Sequence, residues 1–371
     1  MGTEQVKLLI LGGSSCYIGG VEAFCRRAAA ALGRAGGGWR STQIATDTAY
    51  LKLRQLPRFL RNIARVAMIP RHSYDCIWVQ YANLPDLIFV LVAKLRGHRV
   101  MVTPHLGMAW RSQSNRVLRA FSTLVLRAAD RLALISPTQE IELNLPAVPR
   151  SGIRNFLPEE VLAAPLPDRA LASPTLQLIH SGRLSGGKGS FLVIDVCARL
   201  RDLGVPFQMR LTGAADPTTL AALHQRIDRA QLNDQVELLG RIPEADLIAH
   251  LQNADVLLHL SKVDSYPLIV LEAMASGALP VCMELAGARD QVETFGGHIV
   301  SVDHAVEEAA AWIAQQAGNL PSLRAAGRRI AERVRRDYAW DVCAAHLERA
   351  LRAALAPPPP ASAVAKLPHG S

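Results

Sequence analysis

Val6-Lys7-Leu8-Leu9-Ile10-Leu11-Gly12-Gly13 is an apolar run that halts on two glycines. Bounded in this way, it suits a strand buried on both faces of a parallel sheet. A glycine-containing loop from Ser14 to Gly20 follows, and then a helical stretch from about Val21 to Leu32. The alternation recurs outward from there. Cys76 to Gln80 is expected as a strand, Leu84 to Leu95 as a helix, and Arg99 to Val102 and Arg131 to Ile135 as strands. Strand and helix alternating at this spacing predict a doubly wound α/β sheet.

Between Phe156 and Pro174 the text changes, with Pro158, Pro165, Pro167 and Pro174 set among alanines and charges without a sustained period. This stretch reads as a linker. The β-α rhythm then restarts, with strands expected at 176–179, 207–211, 236–239, 256–260 and 279–282. Helices are expected at 190–203, 218–230, 244–253, 268–276, 304–317, 321–336 and 340–355. The fold class expected is α/β, with two Rossmann-like domains (1–160 and 175–336) facing across a cleft. A C-terminal helix (337–356) should return to the first domain, and 357–371, with Pro357 to Pro360, reads as a disordered tail.

A chain of 371 residues is long enough for two such domains. Half of it is apolar and a fifth is charged, which excludes a chain dominated by disorder. The longest unbroken apolar run, Leu87 to Ala93, is seven residues, against roughly 20 needed to span a bilayer. No secretory signal is read at the start, where Met1 to Gln5 is polar. The six cysteines (16, 25, 76, 197, 282, 343) show no CxxC spacing, so they read as reduced residues of a cytoplasmic protein.

Two stretches carry chemistry. In His180-Ser181-Gly182-Arg183-Leu184-Ser185-Gly186-Gly187-Lys188-Gly189 a strand ends in a glycine-rich loop with two cations five residues apart, and a helix starts directly after. Glycines let backbone amides approach an anion, a helix N-terminus adds partial positive charge, and Arg and Lys neutralise it. A diphosphate is the natural guest, although a solvated surface loop has the same composition. The GxxxxGK[ST] spacing of a Walker A loop is absent. In the second stretch, Leu258 to Val281, a strand runs out into a loop carrying Asp264, and a helix carries Glu272 eight positions later. Carboxylates beyond the carboxyl ends of parallel strands suit sugar or ribose hydroxyls.

The order GR-xxxx-KG, then LGRIPEADL, then D-x7-E followed by AMASG-x-LPV resembles the retaining GT-B glycosyltransferases of sequence family 4, the glycosyl transferases group 1. The resemblance covers nearly the whole chain. Gly19-Gly20-Val21-Glu22 is similar to that family's N-terminal glycine loop, Thr103-Pro104-His105 falls at its strand-end histidine, and Trp340 sits in the returning helix. It implies that Arg183 and Lys188 hold the diphosphate of a nucleotide-sugar donor. Glu272 would meet the ribose, main-chain groups near Arg241 and Ile242 the base, and Asp264 the sugar's hydroxyls. Leu268 and Ile269 would offer backbone N–H groups to the phosphates. His105 and the loop at Gly19-Gly20 would close over sugar and phosphate from the other domain. His105, Arg183, Lys188 and Asp264 are thus the expected catalytic residues.

That chemistry is physically coherent. Breaking a sugar–diphosphate bond makes the leaving group more negative, so preorganised cations favour the transition state over the ground state. A unit charge 4 Å from a cation gains about 4 kcal/mol at an effective dielectric near 20. No DxD triplet occurs, in keeping with catalysis in which Arg and Lys replace a metal; no cofactor is expected beyond the nucleotide sugar as co-substrate. The chain departs from the family at Asp264, where Glu is usual, and at Tyr266-Pro267, where Phe-Gly or a similar pair is usual. Asp is one methylene shorter, and proline removes one N–H near the phosphates.

Other polar residues read more plainly. Glu22 is taken as a first-turn helix acid complementing the macrodipole. Asp290 and Glu293 match the family only weakly, and His180, His259 and Lys262 receive no role.

The net charge of +9 is unevenly spread: residues 1–165 carry +11 and residues 166–371 carry −2. Its main source is the stretch from Leu51 to Arg71, where Leu53, Leu56, Leu60 and Ile63 can share one helix face. Lys52, Arg54, Arg58, Arg61 and Arg65 lie around the other. Arg111, Arg116, Arg119 and Arg127 form a second basic run. An ordinary solvated face competes here with an amphipathic surface attracted to anionic lipid. Nucleic acid is not expected as a partner, because no recognition motif or aromatic stacking pattern accompanies the charge. The favoured acceptor is therefore a glycan or lipid-linked glycan in cell-surface polysaccharide assembly, handled in the cytoplasm or at the inner membrane face. Two other readings are a non-catalytic nucleotide-sugar sensor, suggested by Asp264 and Pro267, and a NAD-dependent oxidoreductase. The latter lacks a GxGxxG after the first strand.

Overall fold

The computed structural model of the chain describes residues 5–15, 19–34, 38–48, 53–105, 115–143, 145, 148–166 and 174–356. Lys52, Arg111, the middle of the expected linker (167–173) and the expected tail (357–371) lie outside the described residues. The chain divides into two compact units, residues 1–156 with 340–371, and residues 157–339.

The first unit is built on six parallel strands: β1 (Val6–Leu11), β2 (Trp39–Ile44), β3 (Cys76–Tyr81), β4 (Val100–Pro104), β5 (Arg131–Leu134) and β6 (Arg150–Gly152). Their order is β2-β1-β3-β4-β5-β6. The opening run is therefore an inner strand, and Leu8 to Leu11 are wholly buried. Because side chains alternate across a strand, Leu9, Leu11, Ile77 and Val79 share one apolar layer. It includes residues of α2 (Leu56–Ala67), α3 (Asp86–Leu95) and α4 (Arg116–Leu126). A separate aromatic group joins Phe24 of α1 (Gly20–Arg34) to Trp78 at 5.5 Å and to Phe156 at 6.2 Å.

The same group explains why the C-terminal helix, Trp340–Leu355, belongs to this unit. Trp340 meets Phe156 edge-on at 5.9 Å, Arg34 lies 4.8 Å over the Trp340 ring, and Arg352 lies 5.5 Å over Trp39. The division falls just after Phe156, so the short helix Glu159–Ala163 joins the second unit; the expected first domain ran to 160.

The amphipathic stretch forms its helix, but the leucines do not supply the buried face. Phe59, Asn62 and Val66 turn inward, Ile63 is half-buried, and Leu53, Leu56 and Leu60 remain 88%, 38% and 54% exposed. Pro57 at the helix start leaves Leu53 in a preceding 3₁₀ turn, off the face it would have shared.

The second unit repeats the architecture with β7 (Leu176–Ser181), β8 (Phe207–Thr212), β9 (Val236–Gly240), β10 (Val256–His259), β11 (Leu279–Met283) and β12 (His298–Val300). All are parallel, in the order β12-β11-β10-β7-β8-β9. Chain order reverses between β7 and β10, which makes this pair the topological switch point of the sheet. At the opposite ends of those strands, Asp255 has a fully buried side chain. It accepts hydrogen bonds from the Gln177 N–H at 2.8 Å and Arg324 Nε at 2.9 Å. Arg324 lies on the long helix Leu320–Asp337, so this ion pair ties that helix to the start of both switch strands. Removing one partner of a buried pair strands a charge at a cost of about 3–5 kcal/mol. Arg324→Met should therefore lower the urea midpoint of the protein by that equivalent, and an unchanged midpoint would refute the role given to this pair.

Candidate functional site

At the switch point β7 continues into the loop 182–189 and β10 into the loop 260–267. These two loops are locked together through the backbone. Lys262 N–H donates to the Gly187 carbonyl at 2.9 Å. Gly189, at φ +76°, lies so close to Leu260 that a Cβ there would sit 2.0 Å from the Leu260 carbonyl oxygen. The glycine-rich loop is therefore rigid. Ser190, at the first position of the helix Ser190–Asp202, accepts from the Ser185 N–H at 3.0 Å. His180 sits behind, with Nδ1 2.9 Å from the Leu258 carbonyl and Nε2 3.1 Å from Ser190 Oγ. Burial pulls the His180 imidazole down to about 4, so it is a neutral brace between the switch strands.

Lys188 and Asp264, 76 positions apart in the chain, form a close ion pair between Nζ and Oδ1. The other carboxylate oxygen, Oδ2, lies 3.0 Å from Nε2 of His259, the last residue of β10. Burial alone would raise the Asp264 carboxyl, but His259 and Lys188 outweigh it and hold the group well below the usual carboxylate range. Pro267 precedes the helix Leu268–Ser276, and its carbonyl accepts from buried Gln291 at 3.1 Å. Tyr266 and Tyr338 share a hydroxyl hydrogen bond at 2.8 Å. Leu268 and Ile269 occupy the first turn of that helix, and Glu272, partly exposed, follows one turn later.

Arg183 is exposed on the same rim as Lys188. Its loop is stacked on its neighbours: Gly182 N–H donates to the Thr212 carbonyl at 3.1 Å, and Gly213 N–H to the Gly240 carbonyl at 2.8 Å. A Cβ on Gly213 would meet the Gly182 carbonyl oxygen at 1.6 Å, so a side chain there would push the loops apart. Arg241 and Ile242 leave β9 immediately after Gly240, next along this rim.

The remaining expected residues lie on the first unit. His105 directly follows β4; its Nε2 is 2.9 Å from Gln80 Oε1 and its ring meets Phe24 at 5.4 Å. Its surroundings strip water from the ring and hold it down at about 4, so it is neutral near pH 7. Gly19 precedes α1 and Gly20 begins it, and Glu22 accepts from the N–H groups of Gly19 at 2.9 Å and Ser14 at 2.7 Å. Glu22 thus ties Ser14 and Gly19 to the first turn of α1.

Three features escaped the sequence reading. His180, next to last in β7, and His259, last in β10, lie at the carboxyl ends of the two switch strands; their only signal was a histidine following an apolar run. Gln80 carries His105. Asp86 lies buried beneath Thr46 and Thr48, raised to about 6 by burial despite hydrogen bonds from Thr48, Thr46 and two backbone N–H groups.

Residues 168–332 match the family model for glycosyl transferases group 1. The match takes in the whole second sheet and both switch-point loops. A search of curated proteins finds no match to the chain. Among solved structures, HepE of Anabaena in complex with UDP-glucose is 17% identical, with 94% of this chain and 100% of that one covered and a TM-score of 0.74. The sucrose-phosphate synthase of Thermosynechococcus elongatus is 19% identical over 94% and 98%, with a TM-score of 0.75. A trehalose-6-phosphate protein from E. coli, bound with UDP-2-fluoro glucose, is 14% identical over 95% and 100%, with a TM-score of 0.66. The likeness is one of fold: two parallel-sheet Rossmann-like units, as in GT-B glycosyltransferase structures.

Because the Asp264 carboxyl is depressed in the folded protein, the stability it adds is fully present above the unfolded carboxylate value, about 4, and is lost as pH falls. Asp264→Asn should therefore give a flatter loss of stability on acidification, by up to one proton in the slope of unfolding free energy against pH. Parallel slopes in denaturant titrations between about pH 5 and 2 would contradict the ion pair.

Proposed function

We propose that this protein is a retaining, metal-independent glycosyltransferase that takes a UDP-sugar as donor. The observation that carries this reading is the placement of Lys188 beside Asp264 in two interlocked loops at the switch point of the second sheet. The family match over that sheet and the fold shared with structures holding UDP-glucose and UDP-2-fluoro glucose support it.

In this reading Arg183 and Lys188 neutralise the diphosphate, and the N–H groups of Leu268 and Ile269 add to them at the helix N-terminus. Glu272 binds the ribose, and the chain at Arg241 and Ile242 binds the base. Asp264 receives the sugar's hydroxyls, and His105, Gly19 and Gly20 keep the donor contacts that the resemblance implies. The bond from the anomeric carbon to the diphosphate oxygen breaks with its electron pair leaving on the diphosphate. The acceptor oxygen bonds to the same face of that carbon, and its proton passes to the departing phosphate oxygen. Negative charge grows on the leaving group, and fixed cations stabilise that growth most.

For the acceptor we propose a lipid-linked glycan of cell-surface polysaccharide assembly, met at an anionic membrane surface. Nine of the thirteen exposed large apolar side chains among the described residues lie in the first unit, which also carries the basic excess. Leu56 and Leu60 lie on the same helix as exposed Arg58, Arg61 and Arg65. Val117 and Leu124, 75% and 66% exposed, form a second stripe beside Arg116 and Arg127. Each basic residue near such a surface contributes about 1 kcal/mol. No helix among the described residues is long and apolar enough to cross a membrane.

A thermal-shift screen across UDP-, GDP- and ADP-sugars, followed by turnover of the best ligand, tests the donor reading. Lys188→Ala should cut kcat by about 10²–10³, and EDTA should leave the wild-type rate unchanged. Binding without turnover would favour a sensor, and no shift with any donor would remove the reading. For the membrane, Leu56→Ser with Leu60→Ser should abolish flotation on phosphatidylglycerol vesicles while leaving the melting temperature unchanged; equal flotation of variant and wild type would oppose it.

A further inference from the structure

The donor-site reading leaves His259 without a task, yet the structure spends a buried polar side chain on it. His259 is 4% exposed, and its neighbours Leu258 and Leu260 are wholly buried. An apolar residue would satisfy this strand end, as it does elsewhere in β10. The imidazole has no hydrogen-bond partner for Nδ1 among the described residues. Nε2 lies 3.0 Å from Asp264 Oδ2, off the line of a good hydrogen bond. A buried imidazole whose one polar neighbour is a misaligned carboxylate oxygen calls for an explanation.

Two requirements meet at Asp264. Its Oδ1 is occupied by Lys188, the cation needed by the diphosphate. When the phosphates draw Lys188 toward themselves, a carboxylate that is only 19% exposed loses its cationic partner. A second group must then keep the carboxylate ionised and fix its rotation. His259 is the group in reach.

We propose that His259 is a positioning residue for Asp264, holding Oδ2 while donor binding frees Oδ1 from Lys188 for the hydroxyls of the transferred sugar. This rests on the donor-site reading. It also accounts for the shorter acid: an Asp anchored from the strand end presents one oxygen to the sugar in a set orientation, where an unanchored carboxylate would follow Lys188. The effect belongs to the sugar end of the donor, so the nucleotide end should not sense it.

The experiment compares wild type with His259→Leu, His259→Gln, Asp264→Asn and the double variant His259→Leu/Asp264→Asn. UDP binding is measured by calorimetry and turnover with the donor chosen in the screen above. His259→Leu is expected to keep UDP affinity within about threefold of wild type and to lose about tenfold or more in kcat with KM little changed. Gln places an amide N–H near the Nε2 position, so His259→Gln should recover most of that loss. In the double variant the His259 change should add nothing to the Asp264→Asn defect, because one residue acts through the other. Full kcat in His259→Leu, failure of rescue by Gln, or multiplicative effects in the double variant would each overturn the proposal. If His259→Leu does not fold, the imidazole ¹⁵N signals of His259 decide: they should move in Asp264→Asn and on adding UDP-sugar, and unmoved signals reject the coupling. Failure of the donor reading looks different, since wild type then neither binds UDP nor turns over any nucleotide sugar.

Discussion

Two neighbouring parallel strands, β7 and β10, lead the chain toward opposite edges of one sheet, and everything of chemical interest in the second unit follows from that divergence. Loops leaving adjacent strands in opposite directions cannot cover each other's ends, so a crevice opens at their carboxyl termini. Here the two loops are also joined, by Lys262 N–H on the Gly187 carbonyl and by the absence of a side chain at Gly189. A lysine and an aspartate distant in sequence are thereby brought into contact by backbone geometry. The same arrangement limits how far either can move, because shifting one loop breaks its hold on the other.

Rigidity of this kind has an electrostatic purpose. Lys188 and Asp264 are each partly shielded from water, where an ion pair is retained only if its remaining atoms find partners. His259 supplies part of that need, and neutral His180, wedged between Leu258 and Ser190, keeps the glycine loop from relaxing. A cation held in this way is prepositioned but not spent, since a doubly charged diphosphate competes with a single carboxylate for it. In the proposed reading the site couples two events: anion capture by Lys188 and release of one Asp264 oxygen.

Much of this was legible in the chain because apolar periodicity records burial directly. The helices 244–253, 268–276 and 340–355 agree with expectation at both ends, since each begins or ends on a proline, a glycine or an aromatic anchor that marks its boundary. Strands β2, β6 and β12 were not read. Trp39–Ile44 is polar at its middle positions and lies at a sheet edge, while Arg150–Gly152 and His298–Val300 are three residues long, so none offers an apolar run. The leucines of α2 misled for a different reason: amphipathic spacing names two faces but not which one the sheet will cover, and here Phe59 and Val66 outcompeted them. In the site, the glycine loop and Asp264 announced themselves by motif. Histidines 180 and 259 did not, because a single polar residue in an apolar strand has no meaning until its cross-strand neighbours are known.

The uneven charge gains a physical sense from the same contrast. In the second unit the few cations that matter are placed singly, against specific carboxylates and carbonyls, and residues 157–339 carry a net charge of −5, so no positive excess surrounds them. In the first unit Arg58, Arg61 and Arg65 of α2 and Arg116 of α4 stand exposed on helices that also expose leucines and a valine. Long-range attraction to an extended anionic surface needs only such summed charge, screened beyond roughly 8–10 Å, whereas holding a diphosphate through a change in its charge needs exact distances. A large positive field around Lys188 would weaken its dependence on Asp264 and so blunt the exchange between carboxylate and phosphate. Segregating the bulk charge onto the other unit would leave the proposed exchange to be governed by the local pair.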